Sequence, residues 1–248
     1  MRLTVIGCAA AWGRGPDAAS SCYLVEEGDT AVVLDLGQGA FARLATERSP
    51  ESLAAILVSH AHADHCVDLI PLRHYLRYEA QAAAGRVELR APRGLPGRFD
   101  ALTGEDDFLE DLRFTALAPG GFPVGSLAVT VSRVTHMAES YAFRVGSDAA
   151  VGGLVYSGDC GDPADLVPLL RPGDTLLCEA SFGAGPVPAG VLHLDAQGAA
   201  DAARSGGAAR LVLTHIQSGF DPGLALEEAQ RGFPGATLLA RPGLSLDH

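Results

Sequence analysis

The sequence contains no lysine: all 18 basic residues are arginine, set against 30 acidic ones, for a net charge of −12 at pH 7. A chain this acidic has no global positive field to draw in a long polyanion, so a tRNA or DNA substrate would need a local basic patch or an added arm. Neither is visible in the sequence, and a small molecule is the expected partner. The arginine-only usage, with abundant Ala and Gly, fits a GC-rich bacterial genome rather than a chemical requirement. Cysteine is sparse: Cys8, Cys22, Cys66, Cys160 and Cys178 are odd in number and lack any Cys-x-x-Cys spacing. They read as buried free thiols in a reducing cytoplasm. Long apolar runs are missing too, none reaching the roughly 18 residues of a membrane span. Too few residues precede Cys8 in the lipoprotein-like Val5-Ile6-Gly7-Cys8 to form a signal segment. We expect a cytoplasmic protein with no membrane partner.

What is present is an ordinary globular balance, 48% hydrophobic and 19% charged, sufficient to bury a full core. No short-period repeat or linker marks a boundary, so residues 1–248 read as a single domain. Short apolar runs bounded by Gly, Pro and acidic residues predict strands over 3–6, 22–26, 31–36, 53–59, 87–90, 127–134, 141–145, 153–157, 175–178 and 211–214. Helical periodicity predicts helices over 40–46, 66–84 (with Pro71 in its first turn or two), 196–205 and 224–231. Apart from its one strand, the segment 85–125 is expected to be irregular or to hold short helices. Strands with helices on either side, in two halves of similar grammar, imply a layered α/β sandwich.

The strongest chemical signal is His60-Ala61-His62-Ala63-Asp64-His65. From this composition, an accidental H-x-H-x-D-H has odds on the order of one in a thousand or less, which disfavours a merely His-rich surface loop. Divalent metals such as zinc take imidazole nitrogen and carboxylate oxygen, and a compact loop after a strand can aim alternate side chains at two adjacent ions. The remaining His and Asp residues strengthen this reading. Four times an apolar stretch ends in a small hydroxyl residue just before a potential ligand: Val58-Ser59-His60, Val134-Thr135-His136, Val155-Tyr156-Ser157-Gly158-Asp159 and Leu213-Thr214-His215. Groups at strand ends converge on one cleft in open α/β sheets.

This pattern resembles the metallo-β-lactamase superfamily, which carries H-x-H-x-D-H, a separate His, an Asp after a strand and a final His in this order. The match covers nearly the whole chain and includes Asp35 in Leu34-Asp35-Leu36-Gly37, the early Asp-x-Gly that supports the metal loop. The resemblance implies an α/β (α+β) fold, a four-layered αβ/βα sandwich. Tyr156-Ser157-Gly158-Asp159, Cys178-Glu179-Ala180-Ser181 and His193 draw the match toward the ribonuclease-Z-like branch and related bacterial cyclic-nucleotide phosphodiesterases. In that branch His60, His62 and His136 would bind one metal and Asp64, His65 and His215 the other, with Asp159 bridging. Zinc is the expected ion, and manganese or iron occurs in relatives. Asp35 is expected to orient ligands rather than bind metal. His193 falls where the branch keeps a His near the leaving group, with Glu179 as its hydrogen-bond partner; as a lone residue it equally fits a helix-start packing position. Ser20 and Ser21 are weighed as phosphate donors against plain turn residues, and His74 and His248 as surface or packing residues. A homodimer is expected only by likeness to the branch.

Two neighbouring ions lower the pKa of a shared water and neutralise phosphoryl charge. The implied reaction is attack by a metal-bridging hydroxide, oriented by Asp64, on a phosphodiester, with His193 protonating the departing oxygen. Ribonucleases Z that mature tRNA carry a long arm between the separate His and the bridging Asp. Here only 22 residues separate His136 from Asp159. The preferred substrate is therefore a small phosphodiester such as 3′,5′-cyclic AMP. The alternatives are other esters (lactone, thioester, sulfate ester, β-lactam), tRNA processing without the arm, and a non-enzymatic binding module. A flavodiiron-type redox protein would need an appended flavin domain.

Overall fold

Apolar stretches a few residues long, flanked by turn formers, set the frame of the protein. The computed structural model describes residues 1–13, 15, 18–147 and 152–248. In chain order these contain β1 (Arg2–Gly7), β2 (Cys22–Glu27), β3 (Thr30–Leu34), α1 (Phe41–Glu47), β4 (Ala55–Leu57), α2 (Ala63–Cys66), α3 (Leu69–Tyr78), β5 (Glu88–Ala91), α4 (Leu95–Thr103), β6 (Arg113–Ala116), β7 (Gly120–Val124) and β8 (Leu127–Arg133). There follow β9 (Tyr141–Gly146), β10 (Leu154–Tyr156), β11 (Thr175–Glu179), α5 (Ala196–Gly206), β12 (Arg210–Thr214), α6 (Pro222–Gly232), β13 (Ala236–Leu239) and β14 (Ser245–Asp247).

The strands form two seven-stranded sheets, β14-β1-β2-β3-β4-β5-β6 and β13-β12-β11-β10-β9-β8-β7. Each is mixed. Antiparallel pairing joins β1, β2 and β3, then parallel pairing runs from β3 to β6. The second sheet mirrors this, with antiparallel β7 to β10 and parallel β10 to β13. Alternate side chains along each inner strand sort into different cores. Tyr23, Val25, Val32, Leu34 and Leu57 meet Phe143, Tyr156, Leu177 and Val212 between the sheets. Leu24, Val33 and Ile56 face Leu44, Leu69, Leu72 and Phe99 of the helices on one outside. Val155, Leu176 and Leu211 face Ala199, Ala203 and Ala229 of α5 and α6 on the other. Burial on both faces explains why these strands read as continuous apolar runs rather than as an alternation. The layering is α/β/β/α.

The expected helix over 66–84 is a correction. α2 ends at Cys66, and a new helix starts after Asp68. The Asp68 N–H donates to Leu36 O at 3.1 Å and its Oδ2 accepts from Phe41 N–H at 2.8 Å. These bonds tie the chain to the loop after β3 and interrupt the helical ladder. Pro71 then sits in the first turn of α3, where its missing N–H costs nothing. The cysteines are free, with Cys22, Cys66, Cys160 and Cys178 buried and Cys8 half-buried. Among the described residues, no helix is long and apolar enough to cross a membrane.

At the end of the second sheet away from its parallel strands' C-termini, Asp174 carries a buried ion pair. Its carboxylate accepts twice from Arg144 at 2.8 Å, from Gly153 N–H at 2.6 Å and from Arg171 N–H at 2.9 Å, so one side chain joins β9 to the starts of β10 and β11. Burial by itself would raise its pKa, but Arg144 and these N–H donors outweigh it and hold the carboxyl below the ordinary range. Asp174→Ala should therefore cost about 3–5 kcal/mol, the usual loss when one partner of a buried pair is removed. In the unmutated protein this contribution is complete at neutral pH and fades only as acid drives the pH through the lowered native pKa. Urea unfolding at pH 7 checks the first statement, and a stability profile across the acid limb checks the second.

Candidate metal centre

Six strand ends deliver the candidate residues to one edge of the sandwich. Asp35 follows β3, and His60 follows β4 by way of Val58 and Ser59. His136 lies beyond β8 and Asp159 beyond β10; Glu179 closes β11 and His215 follows β12. His62 caps the start of α2, Asp64 and His65 lie in its single turn, and His193 is presented by the segment between β11 and α5. Two of the turns are conformationally demanding. Gly158 has φ +56°, and a Cβ there would stand 2.8 Å from Tyr141 O, so only glycine lets the chain turn into Asp159. His215 itself adopts φ +55°, a strained conformation of the kind found at functional positions.

All seven expected ligands come together, in two sets. His60, His62, His136 and Asp159 place one ligand atom each within 4.8 Å of one another, as do Asp64, His65 and His215. His62 Nδ1 lies 3.0 Å from His60 Nε2 and 3.3 Å from His136 Nε2. In the other set His215 Nε2 lies 3.1 Å from both His65 Nε2 and Asp64 Oδ2. Asp159 stands between the sets. Its Oδ2 is 3.5 Å from His60 Nε2, while its Oδ1 is 3.3 Å from His65 Nε2.

Whether these atoms fit a cation can be tested on the protons. Ser59 Oγ donates to Asp35 Oδ2 at 2.7 Å, so its oxygen is left to accept from His60 Nδ1 at 3.1 Å. His65 Nδ1 meets the Asp35 carboxylate at 2.7 Å and His136 Nδ1 meets Leu192 O at 2.7 Å, and both of these oxygens can only accept. Ser181 Oγ donates to Glu179 Oε2 at 2.5 Å and so accepts from His215 Nδ1 at 3.0 Å. Each of these four rings therefore carries its proton on the outward nitrogen and turns a lone pair inward, as a metal ligand must. Asp159 Oδ1 is buried with no hydrogen-bond donor, a costly state for an anion unless a cation lies against it. The donor set fits divalent metal.

The electrostatics follow the same division. Burial, then the nearby His65, holds His60 well below the usual imidazole range. For His65 burial acts downward too, but Asp159 and Asp35 overcome it and raise the ring well above that range, so these carboxylates favour positive charge where a metal ion would supply it in place of the inward proton. Burial would push Asp64 up, yet positive charge on the neighbouring His215 and His65 brings it below ordinary carboxylates, as a cation at the same place would.

Asp35 has the supporting position expected of it. It is fully buried at φ +59° and also accepts from Ser59 N–H at 2.6 Å and Tyr156 Oη at 2.6 Å. Two residues on, a Cβ at Gly37 would lie 1.9 Å from Asp64 O, so the Asp-x-Gly turn and the metal loop touch backbone to backbone. Sequence reasoning missed Ser59, Tyr156 and Ser181 as partners. Their signal was the hydroxyl at a strand end, but nothing local says which distant carboxylate it meets.

His193 stands beside the cage. Its Nδ1 lies 2.9 and 3.1 Å from the Glu179 carboxylate oxygens, and its ring centroid is 4.8 Å from that of His136. Burial lowers its basicity, but the Glu179 bond and charge outweigh this and raise it above the usual value. Glu179 is fully buried and also accepts from Cys160 N–H at 2.7 Å. Ser20 and Ser21 are buried beside the Gly37 turn, whose N–H donates to Ser21 O at 2.9 Å. His74 stacks on Tyr78 and meets Phe108 edge-on, while the backbone N–H of His248 bonds Met1 O at 2.8 Å; both are packing residues. A cavity of about 500 Å³ opens beside His215, with Ile216, Phe220, Leu239 and Arg241 in its walls.

Known proteins match this architecture along the chain. The model of the beta-lactamase superfamily domain matches residues 30–216. An uncharacterized protein of Mycobacterium leprae is 35% identical, over 100% of this chain and 88% of its own length. A ribonuclease Z of Methanopyrus kandleri is 27% identical, over 92% of this chain and 91% of its own. The crystal structure of the metallo-beta-lactamase fold protein YhfI from Bacillus subtilis superposes with a TM-score of 0.87 at 24% identity, covering 99% of each chain. The fold of two facing mixed sheets between helices is thus shared along the whole chain, which belongs to the metallo-β-lactamase superfamily, in its ribonuclease-Z-like branch of metal-dependent hydrolases.

Proposed function

We propose that the chain is a phosphodiesterase that works with two divalent ions, zinc in the first instance, on a small phosphodiester such as 3′,5′-cyclic AMP. The observation that carries this reading is the Asp159 carboxylate, which offers one oxygen to each ligand set and whose buried Oδ1 receives no hydrogen bond. His60, His62 and His136 would hold one ion, Asp64, His65 and His215 the other. Bound there, divalent ions supply a water acidic enough to attack at neutral pH and offset the charge of a phosphoryl group.

The protein's own residues supply direction and a proton. Asp64 Oδ2 accepts from Ala11 N–H at 2.8 Å as well as contacting His215, so its carboxylate is fixed to orient the attacking water. On the other side, Glu179 holds His193 and favours its imidazolium, the form able to protonate a departing alkoxide. The cavity beside His215 has the size and apolar walls of an organic-ligand site, which suits a nucleoside. The short span from His136 to Asp159 and the acidic balance argue for a small substrate rather than tRNA.

Metal-loaded protein offered bis-p-nitrophenyl phosphate, cyclic AMP, a homoserine lactone and nitrocefin should turn over the phosphodiesters first; turnover of the lactone alone would sink the phosphodiesterase reading. Metal analysis should return two equivalents, and a single equivalent would remove the two-ion arrangement. His193→Ala should retain both equivalents while losing about 10²–10⁴ in kcat on cyclic AMP. The loss should be far smaller on bis-p-nitrophenyl phosphate, whose stabilised leaving group departs without a proton; equal losses on both would take the acid role from His193. For Asp35→Ala, the expected change is metal affinity lower by about 10–100-fold, the usual effect of deleting a ligand's hydrogen-bond partner, read by competition with a chromogenic chelator.

A further inference from the structure

A small hollow of about 110 Å³ lies against the cage on its His60 side, walled by Ala61, Pro92, Leu95, Arg98, Met137 and Glu139. Two of these walls are direct chain neighbours of candidate ligands. Ala61 separates His60 from His62, and Met137 follows His136. The hollow therefore adjoins the backbone that carries His60, His62 and His136, and it shares no wall with the larger cavity beside His215.

Arg98 is the cation of this wall. It projects from α4, is exposed, and donates from Nη1 to Ala61 O at 3.2 Å. That single bond fastens the guanidinium between two ligand-bearing residues and leaves its other donors uncommitted. Many of the other arginines are committed to carboxylates: Arg73, Arg77, Arg90 and Arg144 each have one within 3.4 Å. Among the described residues no carboxylate stands within ion-pair distance of Arg98, although Glu139 shares the hollow. Arg133 donates to Ala138 O and lies 5.3 Å above the Tyr141 ring, and Met137 N–H bonds Ser140 Oγ at 3.1 Å, so the far wall is fixed from behind. In a protein of charge −12, an anchored, uncommitted guanidinium beside the reaction site is a receptor for planar, bidentate anions.

We propose that this hollow, with Arg98 as its cation, is a subsite for a second phosphate of the substrate, distinct from the one that is cleaved. The proposal rests on the phosphodiesterase reading and narrows it to substrates with a phosphate on each side of the sugar, or on the nucleoside beyond it. A cyclic nucleotide with one phosphate would leave the hollow unused.

Binding of nucleotides to the zinc-loaded protein tests this without turnover. Adenosine 3′,5′-bisphosphate should bind about tenfold more tightly than adenosine 5′-monophosphate, the size expected of one charge-assisted bidentate contact. In Arg98→Ala the two affinities should converge to within about threefold, and Arg98→Lys should keep part of the difference because it retains the charge but not the fork. Zinc content equal to that of the unmutated protein checks that the Ala variant has kept its fold. No preference for the bisphosphate in the unmutated protein, or an undiminished preference in Arg98→Ala, overturns the subsite. Turnover of bis-p-nitrophenyl phosphate judges the phosphodiesterase reading separately, so the two can fail independently.

Discussion

An imidazole binds a metal only through a nitrogen without a proton, so the whole centre depends on what the other nitrogen of each ring meets. Two buried carboxylates, one from each sheet, make that choice. Asp35 at the end of β3 takes His65 directly and His60 through Ser59. Glu179 at the end of β11 takes His193 directly and His215 through Ser181. The two halves thus repeat one device: a carboxylate, a serine relay and a pair of rings. In the first half both rings are candidate ligands; in the second, one is a candidate ligand and the other is the proposed proton donor. In that reading the two roles differ in where the second ring is placed, not in the kind of support it has.

The same carboxylates join the layers. Tyr156 of the second sheet donates to Asp35 of the first, and Tyr23 of the first meets Thr214 of the second at 2.6 Å between the hydroxyls. Bonds of this kind in a dry interface are strong because no water competes, and costly to leave half-made. Binding metal and closing the sandwich are therefore linked. The ions would be held by side chains whose orientation already requires both sheets to be in register.

How much of this could be read from the chain follows from burial. All ten expected strands are present, as are the helices following β3, β11 and β12, because each carries an apolar set facing a core. The four strands that went unread, β6, β7, β13 and β14, are the four sheet edges. An edge strand buries less, so its pattern is weak: Arg113–Ala116 and Ser245–Asp247 have no fully buried residue, and β7 contains Pro123, which only an edge tolerates. The break at Asp68 escaped for another reason, since its cause is a bond to Phe41 in a separate helix. The ligands were legible because metal chemistry restricts the residue types and their order. Asp35 and Glu179 could be read beside them, but the hydroxyls that meet these carboxylates could not: Ser59 and Tyr156 stand 24 and 121 positions from Asp35, and a serine or tyrosine at a strand end looks the same with or without a carboxylate to meet.

Net charge misleads most about the substrate. A total of −12 describes the average surface, but at physiological ionic strength a surface charge is screened beyond about 8 Å. What an approaching phosphate meets is local. The carboxylates of the cage face inward to imidazoles, Asp174 and Glu88 are matched by arginine, and the uncommitted guanidinium of Arg98 stands at the rim. A long polyanion tracking across the surface must cross the acidic remainder, whereas a compact ligand with two phosphates feels little beyond the cleft. Overall acidity and an anionic substrate are compatible for as long as the substrate is small, and the same reasoning that argues against tRNA leaves a nucleotide free to enter.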